Sequence, residues 1–422
     1  LAVNWQSVQK SLQAKEAAIE FVSFRLYDKK WTDKIQYAAL VVKPSMKALE
    51  WVPLCEENML AELFAKLEGK CPQEQARILY DVFGPALYNA VWKPLEKVLK
   101  GVTTVYYSPS GLLHKVSFSA IPVNAKSRLM DKYGLNLVSS TREVVYLKTK
   151  TAGRPNSAVV YGGLDYTVDA DTMREEALAY NVPVTDTRGS AVFPTDGTRG
   201  GPWNFLGGSL DESRDIQRLL EGRQIRVIRY SGVKGNKESF KALSGKKTSI
   251  IHLATHGFFM EDVEKDYEKQ ERLERLGGGR KAYENQLLRS GLILAGGNNA
   301  WTGKPVEGVE NGILFADDVA KMNLLGAELI VLSACVTALG NVNNSEGVFG
   351  LQRAFKLAGA QTLVMSLWEV NDKATSIIMG EFYRNWLSGM SKQEAFKAAQ
   401  RSLRKDGRFS EPYFWAACVM MD

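Results

Sequence analysis

Histidine and cysteine are scarce in this chain. Its 422 residues include three histidines, His114, His252 and His256, and four cysteines, Cys55, Cys71, Cys335 and Cys418. The cysteines are scattered and no CxxC pair occurs. Neither a disulfide framework nor a structural zinc is indicated, and a reducing, cytoplasmic setting is expected. An excess of one charge is also missing. Lys and Arg number 54 against 47 Asp and Glu, a formal net charge of +7 over the whole length. That mild excess points to neither nucleic-acid nor anionic-membrane binding. No apolar run approaches the roughly 18 residues of a membrane helix. The opening Leu-Ala-Val-Asn-Trp-Gln-Ser has no basic region leading into an apolar block, so it is not read as a signal peptide. With no initial Met, the chain is read as a fragment of a longer protein or a processed product. No repeat with a period of 20–50 residues is visible.

What is present fits a globular protein of two domains. Hydrophobic residues are 45% and charged residues 24%, enough apolar side chain for large cores. The polar stretch 148–157 (KTKTAGRPNS) carries Gly and Pro and separates a domain at 1–152 from one at 153–422. In the first, Trp5–Glu16, Asn58–Leu67 and Pro72–Leu99 are expected as helices, the last broken near Pro85. Ala18–Phe24, Gln36–Val42 and Val102–Ser108 are expected as strands. In the second, strand-length apolar runs occur at Ala158–Tyr161, Ile225–Ile228, Ser249–Ala254, Gly291–Leu294, Leu329–Leu332, Thr362–Ser366 and Tyr413–Val419. Helical patterns lie between several of them. One ends at Gly359, and another starts at a capping box of Ser391 and Glu394. Near-continuous apolar strands alternating with helices predict an α/β fold with a mostly parallel sheet covered on both faces. Thr167–Trp203 reads as a long surface loop. Residues 261–284 read as a charged insertion, either an exposed helix or a loop, and a solvated face is the plainer interpretation.

In open parallel sheets, sites form at the carboxyl ends of strands. Two such ends carry reactive residues. Ser249–Ala254 leads to His256-Gly257, and Leu329–Leu332 leads to Ala334-Cys335. If the two strands are neighbours, His256 can serve as base for a Cys335 thiol, which at its ordinary pKa of about 8.5 is mostly protonated. Backbone N–H groups of Gly257 and Cys335 would then face an oxyanion. The chemistry is acyl transfer, most simply peptide hydrolysis. The plainer alternatives are a buried cysteine acting as a small hydrophobe and a histidine held in the core. A metal site is not supported. His252 and His256 would share a helix face, but in a strand they stand about 13 Å apart. His252 and His114 are read as structural. After the next strand, Ser366, Trp368, Glu369 and Asp372 would open on the same edge and could line a substrate pocket. Packing for Trp368 and helix initiation for Glu369 and Asp372 are the alternatives, as is an N-terminal helix charge for Glu346. Gly162-Gly163 resembles the start of a phosphate loop, but no GxGxxG or GxxxxGKS completes it.

Several segments together resemble the caspase-like (clan CD) cysteine peptidases, and within them the CHAT family often found with tetratricopeptide repeats. They are Ile251-His-Leu-Ala-Thr-His-Gly-Phe-Phe259, 289–297 (RSGLILAGG), Leu332-Ser-Ala-Cys-Val-Thr-Ala-Leu-Gly340, 346–355 (EGVFGLQRAF), 359–368 (GAQTLVMSLW) and 412–417 (PYFWAA). Upstream, 111–121 (GLLHKVSFSAI) is similar to the family's first-lobe motif. The resemblance implies two lobes: a degenerate pseudo-peptidase lobe at 1–152, with Cys55 and Cys71 outside any motif, and a catalytic lobe using His256 as base and Cys335 as nucleophile. It further implies no cofactor and an upstream tetratricopeptide-repeat sensor region. The expected role is in bacterial defence or programmed cell death, cutting a gasdermin-like or other protein partner or working with an RNA-guided complex. The separase-like stretch Trp368-Glu-Val-Asn-Asp372 lies at a similar distance after the cysteine. The sequence departs from the pattern in three places. Val336 follows the nucleophile where an acid or polar residue is usual. Cys335 stands 79 residues after His256, against roughly 50 in caspases, the charged insertion supplying much of the difference. Ser376 stands where separases place an acid for arginine recognition. The rival readings are an inert caspase-like scaffold, which Val336 and the degenerate first lobe favour, and a nucleic-acid-binding module, for which no reading helix or aromatic–basic motif is found.

Overall fold

A computed structural model describes residues 3–149, 153–184, 201–259, 286–334 and 346–422. They form two compact units, one within Leu1–Arg154 and Phe396–Asp422, the other within Pro155–Thr337 and Glu346–Ala395. Cys335 and the charged insertion 261–284 lie outside the described residues.

The first unit opens with the helix Trp5–Ser11, capped by Asn4, whose Oδ1 accepts the Ser7 N–H at 3.0 Å. The helix stops earlier than the periodicity suggests, because Glu16 already belongs to a strand. That strand, β1 (Glu16–Asp28), turns at Lys29, with φ 55°, into the antiparallel β2 (Lys30–Val42). The edge strand β3 (Glu50–Glu56) pairs antiparallel with β2. On the other side of β1 lie β4 (Thr104–Ser108) and then β5 (Gly134–Leu137), both parallel to their neighbours. Phe118 packs its ring 4.6 Å from Tyr107, 5.3 Å from Phe21 and 6.1 Å from Trp92, tying β1, β4 and the helical layer into one core. Burying each such side chain stabilises by about 1.5–3 kcal/mol. The stretch 72–99 is more broken than one proline explains. A helix Pro72–Arg77 runs into a wide turn at Ile78–Val82, then a helix Gly84–Val91 and a tight turn at Lys93–Leu95. Pro85 sits in the first turn of its helix, where its missing N–H costs nothing.

The second unit is a parallel sheet with a small antiparallel one beside it. The parallel strands are β6 (Ser157–Leu164), β7 (Arg226–Gly232) and β8 (Ile250–Ala254). Then come the short antiparallel strands β9 (Gly257–Phe259), β10 (Ser290–Ile293) and β11 (Ile313–Phe315). The parallel sheet resumes with β12 (Leu329–Ser333) and β13 (Thr362–Ser366). The parallel order is β13-β12-β8-β6-β7. Every residue of β6, β8 and β13 is buried, as expected for strands covered on both faces. The fold class is the expected one: α/β, with a mostly parallel sheet flanked by helices. The helix Gly207–Glu221 packs on β6 and against the helix Asp372–Leu387. Gly162-Gly163 serves this packing. A Cβ on Gly162 would lie 2.6 Å from Ser213 Cβ, and the Gly163 N–H donates to Ser209 Oγ at 3.0 Å. The stretch expected as a surface loop from Thr167 carries a helix of its own, Ala170–Ala177, started by Asp169, which accepts the Asp171 and Thr172 N–H groups.

The Ser391–Glu394 capping box is present. Ser391 Oγ donates to Glu394 Oε2 at 2.7 Å and accepts the Glu394 N–H at 3.2 Å, opening the helix Lys392–Lys405. The expected strand Tyr413–Val419 is instead two elements. Pro412 starts the helical turn Pro412–Trp415, and only β14 (Cys418–Met421) is extended, pairing parallel with β5 through Met421 and Leu137. Proline at the first helical position favours the turn over the strand.

Candidate active site

The register of the parallel sheet fixes what comes off its carboxyl edge. In the β8–β12 pair, Ala254 stands opposite Ser333. Two residues further along the sequence, the first strand reaches His256 and the second reaches Cys335. His256 is half-buried and bridges the two sheets: its carbonyl accepts the Ile293 N–H at 2.9 Å, and Gly257 begins β9 opposite Leu292.

The His256 imidazole is held on three sides. Nε2 is 2.8 Å from the carbonyl oxygen of Asn204. A carbonyl only accepts, so Nε2 carries the proton, and in the neutral ring the lone pair is on Nδ1. No described residue hydrogen-bonds Nδ1. The Trp203 ring lies 4.8 Å from the imidazole and the Tyr166 ring 5.0 Å. Tyr166 Oη is 3.0 Å from Thr255 Oγ1, and Thr255 Oγ1 donates to the Ile293 carbonyl, so the residue before His256 is also fixed. Burial lowers the His256 pKa below its usual 6.5, opposed by the Asn204 hydrogen bond and the charges of Asp372 and Glu369. The ring is therefore neutral at pH 7, with a basic nitrogen available.

Beneath the edge lies a buried polar chain that the sequence reading did not assemble. His252, 0% exposed, has Nε2 at 3.0 Å from Glu212 Oε1 and Nδ1 at 3.2 Å from Tyr383 Oη. The other Glu212 oxygen accepts the Ser333 hydroxyl at 2.9 Å. Both nitrogens of His252 are occupied, so it is structural, and the chain ties the last residue of β12 to β8 and to the helix Gly207–Glu221. His114, in the turn Gly111–Lys115 after β4, is half-buried, and desolvation pushes its pKa down to about 4.

The other sequence candidates divide. Ser366 and Trp368 are each 1% exposed. Glu369 is exposed, and Asp372 opens the helix Asp372–Leu387 after the cap Asn371. Both carboxylates act on His256 through their charge. A Cβ at Gly208 would lie 2.6 Å from Asp372 Oδ2, so glycine is required there for the carboxylate to sit against the start of the Gly207–Glu221 helix. Burial and the nearby Glu212 charge raise the Asp372 pKa. Helix Glu346–Leu357 begins at Glu346. Asn204, Trp203, Tyr166 and Glu212 carried no signal in the sequence: one acts through a backbone carbonyl and the others sit far along the chain. Among the described residues no group of three His, Cys, Asp or Glu could hold a metal, and no helix is long and apolar enough to cross a membrane.

A family model described as "CHAT domain" matches residues 82–422. Tetratricopeptide repeat protein 28 of Mus musculus is 31% identical over 109 residues, covering 26% of this chain and 4% of that protein. Its Homo sapiens counterpart is 32% identical over 109 residues, with the same coverage. The match thus takes in a small fraction of the curated relatives' length. Among solved structures, the Arg-specific cysteine proteinase gingipain R is similar with a TM-score of 0.41 and 8% identity, over 85% of this chain and 68% of that one. Separase in the Saccharomyces cerevisiae separase–securin complex is similar with a TM-score of 0.47 and 9% identity, over 99% of this chain and 30% of that one.

Proposed function

This chain belongs to the CHAT domain family, and we propose that it is a cysteine endopeptidase in which Cys335 is the nucleophile and His256 its general base. His256 Nδ1 takes the thiol proton as sulfur attacks the scissile carbonyl. The C–N bond then breaks, the amine leaves with that proton, and an acyl-enzyme remains. Water attacks the thioester, giving a proton to His256, which returns it to the sulfur as the acid product departs. The N–H groups of Gly257 and Cys335 stabilise the oxyanion, and the exposed Glu369 and Asp372 form the substrate side, while the buried Ser366 and Trp368 pack in the core. No cofactor takes part. The substrate is a protein, a gasdermin-like pore former or another effector in bacterial defence or cell death. An upstream tetratricopeptide-repeat region, or an RNA-guided complex, controls the activity in the cytoplasm. Residues 1–152 act as a pseudo-peptidase lobe; burial pushes its Cys55 thiol up to about 11, which keeps that sulfur protonated.

The observation carrying the reading is the register: Ala254 pairs with Ser333, and the two chains continue by equal steps to the imidazole and the thiol. A neutral His256 whose Nε2 is already engaged supports it. The motif resemblance alone supports the choice of substrate and setting. Sequencing peptides released from a proteome-derived library tests activity and specificity together. The Cys335→Ala chain is expected to release none while melting at the same temperature. Retained cleavage by that variant would remove Cys335 as nucleophile, and an inert wild-type chain would leave the scaffold reading.

A further inference from the structure

The carbonyl that fixes His256 belongs to a segment with little burial of its own. Gly201, Pro202, Asn204 and Phe205 are exposed, and none lies in a helix or strand. A carbonyl acceptor on such a segment orients an imidazole only if something holds the backbone still. One side chain does this. Asn298, 3% exposed, lies in the short helix Gly297–Trp301 after β10. Its Oδ1 accepts the Trp203 N–H at 2.8 Å, and its Nδ2 donates to the Trp203 carbonyl at 2.9 Å. The second Nδ2 hydrogen goes to Thr167 Oγ1 at 2.9 Å, and the Asn298 backbone N–H donates to the Tyr166 carbonyl at 2.9 Å. The amide therefore grips both backbone groups of the residue before Asn204, as a neighbouring strand would. Turning the amide over would set N–H against N–H and oxygen against oxygen, so the orientation is fixed. The same side chain reaches both segments that wall the imidazole, since Trp203 and Tyr166 supply the two rings against it.

We propose that Asn298 is a positioning residue for the base: by clamping Trp203 it holds the Asn204 carbonyl on His256 Nε2, keeping the proton there and the lone pair on Nδ1. The proposal rests on the peptidase reading, because the fixed tautomer matters only if His256 acts as a base. Without the clamp the carbonyl drifts, either nitrogen can carry the proton, and a fraction of molecules present the wrong one to the thiol. A misassigned tautomer is costly to a catalytic histidine even when the surrounding geometry survives.

The test uses the full chain with 15N-labelled histidine, in which only three imidazoles give signals. Two-bond proton–nitrogen correlations read the tautomer of His256, and iodoacetamide alkylation reads the reactivity of Cys335. Wild-type protein is expected to show a protonated Nε2 and a bare Nδ1 at neutral pH. In Asn298→Ala the His256 signals should move toward a mixture of tautomers, and alkylation should slow about 10- to 100-fold, the scale for losing a group that orients a histidine. Asn298→Asp keeps the size and the acceptor for the Trp203 N–H but removes both donors. It should shift the tautomer too, and it decides the question if the alanine variant does not fold. A single Nε2–H tautomer retained in a folded variant overturns the proposal, whether alkylation slows or not. If alkylation of wild-type Cys335 does not depend on His256, the peptidase reading fails, while the tautomer comparison still decides the clamp.

Discussion

The interior of β8 and its carboxyl end place two histidines four residues apart in opposite situations. His252 is wholly buried with both nitrogens taken, by Glu212 and Tyr383. His256 is half-buried, with one nitrogen on a backbone carbonyl and the other facing no described partner. The residue type is the same, and His256 stands just past the end of the strand that holds His252. What differs is whether a lone pair is left over, and that decides which ring can do chemistry and which can only hold the sheet together. The first unit offers a third case: His114 also follows a parallel strand and is half-buried, and desolvation leaves it neutral.

The largest effect that should sharpen this contrast is on catalysis. His256→Ala should lower peptide release by about 10²- to 10⁴-fold, the usual contribution of a general base, with little change in melting temperature. A variant as active as the wild type would erase the distinction between the interior of β8 and its carboxyl end. Next in size is a pH effect in the first unit. The pKa of His114 is about 4 in the folded chain against 6.5 ordinarily, so the unfolded state binds the proton first. Stability from this group is complete above about pH 6.5 and is lost as pH falls toward 4, amounting to about 3 kcal/mol. Urea midpoints measured across that range should show the loss, and His114→Gln should flatten it. The interior of β8 should answer in stability too. Glu212→Ala leaves His252 Nε2 and Ser333 Oγ without their partner and should cost about 1–3 kcal/mol in urea unfolding. The smallest effect concerns the outer end again. Glu369 raises the His256 pKa against the larger lowering by burial, so Glu369→Gln should move the acid limb of Cys335 alkylation to lower pH. A limb moving upward would mean that Glu369 does not act on His256 through its charge.

The inner strands of the second unit's parallel sheet were legible because burial on both faces leaves nearly unbroken apolar runs, whereas the short β9 and β11 were not. β6, β8, β12 and β13 all fall on such runs. The edge strand β3 was not: it carries Pro53, has a glutamate at each end, and its burial is partial. Nor was the turn at Pro412–Trp415, where an aromatic run mimics a strand and the proline sets a helix. The site was legible in its reactive side chains and not in its supports. His256 stands out because histidine is rare here, whereas a carbonyl at Asn204 has no side-chain signature. Asn298 looks like part of a Gly-Gly-Asn-Asn turn until the fold brings Trp203 to it. Glu212, in the middle of a charged helix, gives no sign that it faces inward.

The reaction of Cys335 with a peptidyl chloromethyl ketone, followed by mass spectrometry in the wild-type and His256→Ala chains, tests the central claim most directly. Fast labelling at Cys335 that falls at least about 100-fold without the imidazole is the expected result. A thiol that is inert in both chains, or labelled equally in both, would contradict it.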